Sequence, residues 1–201
     1  MVKLYDYLSS GNCYKIRLLL TQLQIPFQRV DIDILKGESR TPEFLSINPN
    51  GRVPVLETES GQFLAESNAI LFYLSQNTNF FPSDAFEQAQ VMQWLFFEQY
   101  SHEPYIATSR YWISILGKAE EYRDAIQQKR QPGYAALGVM EKHLTNQEFF
   151  VGNRYTIADM GLFAYTHVAD EGGFDLTKFP AIQKWIDHVK FQHNYIGITE
   201  F

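Results

Sequence analysis

Ser9, Ser10, Asn12 and Cys13 crowd into the stretch "LSSGNC", and each could make, hold or stand in for a reactive sulfur. Cys13 is the only cysteine in the chain. A dithiol redox site needs C-x-x-C, and here Ser10 occupies the first place of that spacing. The turn is then either a redox site that lacks its first cysteine or a serine site with an incidental cysteine beside it. A free thiol titrates at about 8.5 and is mostly protonated at neutral pH. Lowering that value by about two units requires roughly 2.7 kcal/mol of preferential thiolate stabilisation. A hydroxyl donor at a helix start, where the helix dipole is positive, is of the right kind. Ser10 therefore reads as a thiolate donor or, more plainly, as a helix N-cap. Ser9 and Asn12 are rivals in the same turn. Cys13, one turn into the helix, reads as a small packing residue facing a sheet.

The elements around the turn follow from periodicity. Val2, Leu4 and Leu8 fall at even spacing, as on a strand face, and Ile16, Leu19, Leu20 and Leu23 then recur as a helix stripe. Val30, Ile32 and Ile34 alternate with Asp31 and Asp33, which predicts a second strand. "TPEFLSINPNG" predicts a short helix capped by Thr41 and ending in turn residues. "VPVLET" and "QFLA" predict a hairpin around "ESG", and "ESNAILFYLSQ" a helix. The order is β-α-β, a link, then β-β-α: a small mixed sheet with helices packed on it. From about Asp84 the spacing is helical throughout, and "NFFPSD", residues 79–84, is the expected linker. Pro104 is expected to kink the long helix, and Pro132-Gly133 to kink or break the next.

Composition limits the functions that fit. The 201 residues, 45% hydrophobic and 20% charged, suit a globular protein with one or two cores. A formal net charge of −6 argues against nucleic acid or an anionic membrane as partner. The lone cysteine fits a reducing compartment, and no window reaches the roughly 18 apolar residues of a membrane span. A cytoplasmic protein is expected. The five histidines are scattered, and no H-E-x-x-H, G-x-G-x-x-G or G-x-x-x-x-G-K occurs, so no metal site is expected.

Four stretches in order, "SSGNCYKIR", "NPNGRVPVL", "ESNAI" and "GNRYTIADMGLFAYTHV", resemble the soluble glutathione transferase family over essentially the whole chain. The resemblance implies an α+β thioredoxin-like domain, residues 1–79, that binds glutathione. It implies an all-helical domain, residues 85–201, that contributes the electrophile site. It makes Ser10 the catalytic residue of a bacterial serine-type member, with Asn12 and Ser9 secondary. It implies a cis bond at Val53-Pro54, with the Val53 backbone receiving the cysteinyl part of glutathione as an added strand would. Glu66 and Ser67 would hold the γ-glutamyl ammonium and carboxylate, at a helix start where caps are expected in any case. Arg52 is the first candidate for the glycine carboxylate, with Lys36 and Arg40 weaker. Leu8, Tyr100, Tyr105, Ile106 and Tyr111 are candidates for the electrophile wall, between the first turn and the long helix, and Phe201 joins them if the tail folds back. His102 is a candidate polar group of that pocket, with a plain surface histidine the favoured reading. Asp159, three residues after Thr156, reads as a capping box and thus as a stability residue.

The function so implied is addition of a glutathione thiolate to a hydrophobic small-molecule electrophile, a detoxification chemistry, with glutathione as co-substrate and a homodimer as the assembly. Two alternatives stand beside it. One is glutathione-dependent disulfide or peroxide reduction, for which Asn12 is the hint. The other is a non-catalytic interaction module.

Overall fold

β1 (Val2–Asp6) and β2 (Phe27–Asp31) pair in parallel, with α1 (Gly11–Gln22) as the crossover between them. Their register sets Val2 opposite Phe27 and Asp6 opposite Asp31 in this computed structural model, which describes every residue from Met1 to Phe201. The second strand thus lies earlier than the Val30–Ile32–Ile34 alternation predicts, because pairing with β1 decides its limits. Ile34 instead opens a one-turn 3-10 helix, Ile34–Lys36, capped by Asp33, whose Oδ1 accepts from Leu35 N at 3.0 Å. Leu8 also lies outside its expected strand, in the turn after β1.

α2 (Pro42–Ile47) is capped by Thr41 as predicted, the hydroxyl accepting from Phe44 N at 3.3 Å. The hairpin of β3 (Val55–Glu57) and β4 (Phe63–Ala65) leads into α3 (Ser67–Ser75). The strands lie in the order β2-β1-β3-β4, with β3 antiparallel to both neighbours. This is the expected βαβ-ββα thioredoxin-like arrangement. Leu4, Val55 and Leu56 of the sheet meet Ile16, Leu19 and Leu20 of α1 and Ile70 and Leu71 of α3 in a core with no exposed surface. Burying such side chains contributes about 1.5–3 kcal/mol each before chain entropy is set against it. α1 is buried well beyond its apolar stripe, since Lys15 and Arg17 are also fully covered.

The chain forms two units, Met1–Gln76 together with His193–Phe201, and Asn77–Gln192. In the first, the Tyr14 hydroxyl donates to Ile196 O at 2.7 Å and Arg17 Nη2 to Ile198 O at 2.6 Å, while the Arg29 guanidinium lies 4.7 Å from the Phe201 ring.

The second unit is all helical. α4 (Ala85–Phe97) starts at Asp84, whose carboxylate accepts from Phe86 N and Glu87 N at 3.0 Å. Its ladder widens into a π-helical turn, Glu98–His102, directly before α5 (Glu103–Arg110) with Pro104 in its first turn. A proline removes a donor, and a wider turn ahead of it accommodates that loss. A second π turn, Tyr111–Ile115, is followed by α6 (Arg123–Leu144), α7 (Ile157–Thr166) and α8 (Pro180–Lys190). The break expected at Pro132-Gly133 does not occur; α6 runs through it. A Cβ on Gly133 would stand 2.5 Å from the Phe174 ring, so the glycine is what lets that ring pack there. No helix is long and apolar enough to cross a membrane.

Candidate functional site

Strand register brings the singled-out segments of the first unit to one end of its sheet. β1 pairs Tyr5 with Val55, and continuing that antiparallel register sets the chain after Asp6 beside Pro54 and Val53. β3 pairs Val55 with Ala65, so Val53 and Pro54 also run beside Glu66 and Ser67. The first turn, the cis Val53-Pro54 bond and the start of α3 therefore share the C-terminal end of β1.

Within the turn, Ser10 is the N-cap of α1, with extended φ −76° and ψ 124°. Its Oγ accepts from Cys13 N at 3.3 Å. Asn12, half-buried, is tied elsewhere: its Oδ1 accepts from the Ser67 hydroxyl at 3.1 Å. That bond fixes which way the Asn12 amide faces and links the first turn to α3. Ser9 is half-buried beside them. Cys13 has no exposed surface, and Tyr7 N lies 3.4 Å from its sulfur. Burial, with the Asp6 charge behind it, pushes this thiol well above its ordinary range despite hydrogen bonds from Tyr7 and Ser10. A water-soluble alkylating reagent is accordingly expected to leave native Cys13 unmodified and to label it fully in urea. Native labelling at the rate of free cysteine would overturn the packing role.

At the start of α3, Glu66 is exposed and holds a left-handed φ of 67° with ψ 113°, a conformation that costs a non-glycine residue about 1–3 kcal/mol. Ser67 is buried as the first helical residue, where free N–H groups attract anions. Lys15 reaches the same place from α1, its Nζ 3.4 Å from Ser67 Oγ and 3.3 Å from Asn68 Oδ1. The sequence gives no local sign of this, because a lysine inside a helix ordinarily faces water.

The basic candidates differ in setting. Arg52 is exposed, and its carbonyl accepts from Asn48 Nδ2 at 2.8 Å, which shapes the loop before Val53. Lys36 is exposed and ion-paired with Asp33 at 2.9 Å; that carboxylate beside it raises its pKa. Arg40 donates to Asn50 O at 2.9 Å. Leu8 is half-buried, and its carbonyl accepts from Arg17 Nη2 at 2.7 Å.

In the helical unit Tyr100 is 82% exposed and Tyr105 and Tyr111 half-buried, whereas Ile106 has no exposed surface and is core. His102 is not a surface residue: it is fully buried, with Nε2 2.9 Å from Thr166 Oγ1. It continues the buried spacing of Val91, Leu95 and Glu98, so a helical count carried on from α4 would have found it inward. No group of three or more His, Cys, Asp or Glu side chains gathers as metal ligands.

With this geometry in place, comparison with known proteins gives a consistent result. The family model "Glutathione S-transferase, N-terminal domain" matches residues 1–76, and "Glutathione S-transferase, C-terminal domain" matches residues 92–192. A solved glutathione S-transferase from Pseudomonas fluorescens is similar at TM-score 0.97 and 48% identity, covering 99% of each chain. Ure2p in complex with glutathione is similar at TM-score 0.86 and 26% identity, over 96% of this chain and 95% of that one. The transcriptional regulator URE2 of Saccharomyces cerevisiae is 28% identical over 92% of this chain and 64% of its own length. Across the curated URE2 relatives the chain spans from 64% to 75% of their length.

Proposed function

The chain belongs to the glutathione S-transferase family, and from that premise we propose that it binds glutathione on its first unit and adds the bound thiolate to a hydrophobic electrophile. The observation that carries this reading is the 3.1 Å hydrogen bond from the Ser67 hydroxyl to Asn12 Oδ1. It joins a helix start suited to a carboxylate with a turn whose donors suit a sulfur, and the cis Val53-Pro54 backbone lies beside both. In this proposal Ser67 and the free N–H groups of α3 receive the γ-glutamyl carboxylate and Glu66 its ammonium. Val53 exchanges backbone hydrogen bonds with the cysteinyl residue. Arg52 serves the glycine carboxylate better than Lys36, whose charge Asp33 already engages. In the reaction the thiol proton leaves to solvent and the thiolate sulfur attacks an electrophilic carbon. With an aryl halide a carbon–sulfur bond forms, the carbon–halogen bond breaks, and halide departs with its electron pair.

The same geometry orders the donors. Ser10 Oγ is held as the cap acceptor of Cys13 N, so turning it toward glutathione competes with the cap. The Asn12 amide, oriented through its Oδ1, makes the better thiolate donor. Asn12→Ala is therefore expected to raise the pKa of the bound thiol by one to two units, about 1.4–2.7 kcal/mol. Ser10→Ala is expected to shift it less and to lower stability by about 1 kcal/mol through the lost cap. Thiolate absorbance of the glutathione complex against pH measures both, and the opposite ranking would restore Ser10 as the principal donor.

Asn12 also supports a second reading, disulfide reduction, in which one glutathione thiolate displaces a thiolate from a disulfide. A second glutathione then releases the mixed disulfide as oxidised glutathione. Paired assays with an aryl halide and hydroxyethyl disulfide rank the two. Thermal stabilisation by glutathione with no turnover of either would leave a regulatory module, the role that the name of the S. cerevisiae relative carries. No stabilisation and no turnover would refute glutathione binding altogether.

A further inference from the structure

We propose that the C-terminal turn of residues 197–200 positions the thiolate-holding stretch of residues 9–12, acting through the guanidinium of Arg17. This rests on the reading of that stretch as the donor set for the sulfur of bound glutathione.

Two turns meet on one nitrogen. Ser10 N donates to Tyr7 O at 2.8 Å, which closes the turn of residues 7–10, and Leu8 O takes Arg17 Nη2 at 2.7 Å. Glu200 N donates to Gly197 O at 3.0 Å, which closes the turn of residues 197–200, and Ile198 O takes the same Nη2 at 2.6 Å. In each turn the acceptor is the carbonyl of the second residue. The two hydrogens on Nη2 are held at a fixed angle in the guanidinium plane. One goes to each turn, so placing Ile198 O also places the hydrogen that Leu8 O receives. Nη1 meanwhile pairs with Asp6 Oδ1 at the end of β1. The guanidinium therefore holds both the strand end and the carbonyl directly before Ser9.

The tail turn is itself fastened at three points. The Tyr14 hydroxyl donates to Ile196 O at 2.7 Å, the Glu200 carboxylate accepts from Gly197 N at 2.6 Å, and the Phe201 ring lies 4.7 Å from the Arg29 guanidinium. Arg29 donates to Asp6 Oδ2 at 3.1 Å, so the tail and the first turn share one carboxylate through two arginines. A water could satisfy Arg17 Nη2 as well as Ile198 O does, but a water reorients, whereas a fastened carbonyl is already in place. Preorganised dipoles are what stabilise a charge that appears on a bound group. Residues 9–12 carry the donors for that charge, and slack at Leu8 lengthens their hydrogen bonds to the sulfur. The γ-glutamyl grip at α3 and the Val53 backbone lie on other segments and keep their places. The tail therefore acts on the ionisation of the thiol and not on the hold on the peptide, a split that a purely structural tail would not produce.

Two measurements separate the effects: thiolate absorbance of the glutathione complex against pH, and calorimetric binding of S-methylglutathione, which has no thiol to ionise. The double variant Glu200→Ala/Phe201→Ala removes two of the three fastenings at exposed positions. It is expected to raise the pKa of the bound thiol by about half a unit, roughly threefold in thiolate preference, and a shortened chain ending at His193 by about one unit, or tenfold. Both are expected to bind S-methylglutathione within about twofold of the wild type. Glu200→Gln keeps an acceptor for Gly197 N and is expected to titrate as the wild type does. An unmoved thiol pKa in the double variant and the shortened chain overturns the proposal. So does a parallel weakening of S-methylglutathione, or a Glu200→Gln shift equal to that of Glu200→Ala, which would make the charge the agent and not the turn. Were the shortened chain to unfold, the double variant decides alone. Failure of the wild type to bind either ligand overturns the glutathione reading and this one with it.

Discussion

Asp6→Ala is expected to lower the unfolding free energy by about 3–5 kcal/mol, because it strands a charge inside the first unit. Asp6 and Arg17 have no exposed surface and form an ion pair through Asp6 Oδ1, while Asp6 Oδ2 receives Arg29 Nη1 at 3.1 Å. With the carboxylate gone, Arg17 keeps only the carbonyls of Leu8 and Ile198, at 2.7 and 2.6 Å. Two dipoles do not replace a full countercharge in a dry site. Those two carbonyls also give the loss a reach beyond stability. Arg17 ties the chain just before the Ser9–Ser10 turn to the tail at Ile198, so a displaced guanidinium loosens both. Urea unfolding of Asp6→Ala, Arg17→Met and the double variant Asp6→Leu/Arg17→Met measures the effect. The double variant is expected to recover most of the stability, because replacing a whole buried pair with apolar side chains is often near neutral. A single variant within about 1 kcal/mol of the wild type would show that the pair is not the element that organises this core.

The contrast between these buried charges and the apolar stripe shows what the sequence made legible. Local chemistry was readable where a short stretch decides its own conformation. Thr41 and Asp159 both cap helices as their positions predict, and the hairpin closes around "ESG". The turn candidates Ser10 and Asn12, the Val53-Pro54 cis bond and Ser67 come to one end of the sheet because two strand registers converge there. What stayed hidden depends on distant partners. Periodicity finds the face of α1 that meets the sheet but not that α3 and the returning tail cover other faces, so Lys15 and Arg17 look like solvated charges. The second strand was placed late for the same reason, since its limits come from Val2–Asp6 and not from its own alternation. His102 and Pro132 failed differently. His102 carries on the buried Val91–Leu95–Glu98 stripe, which the sequence already held, and α6 runs on through Pro132 with Phe174 packed against Gly133.

The largest single effect in the helical unit is expected at Asp159, and its sign with pH tests why. Its carboxylate is fully buried and receives Thr156 N at 2.9 Å, Thr156 Oγ1 at 3.2 Å, Phe150 N at 3.1 Å and Trp185 Nε1 at 2.9 Å. One side chain thus joins the segment before α7, the start of α7 and α8. Asp159→Ala leaves those donors unanswered in a dry site, at about 1–3 kcal/mol each, and is expected to destabilise the protein by more than about 4 kcal/mol. Asp159→Asn keeps the shape and one acceptor and should fall between.

Burial outweighs the four donors and raises the Asp159 carboxyl from 3.8 to about 6. A folded-state value above the unfolded one means that the native protein binds this proton more readily. The stability it contributes is complete below the unfolded value and is lost as pH rises through about 6. Asp159→Asn has no such proton. The gap in unfolding free energy between wild type and Asp159→Asn is therefore expected to widen by about 1.4 kcal/mol when the pH falls from roughly 7.5 to 5, read from parallel urea titrations. A gap that narrows on acidification would mean that the hydrogen bonds from Thr156, Phe150 and Trp185 hold the carboxylate ionised. The capping box would then work by charge rather than in spite of it.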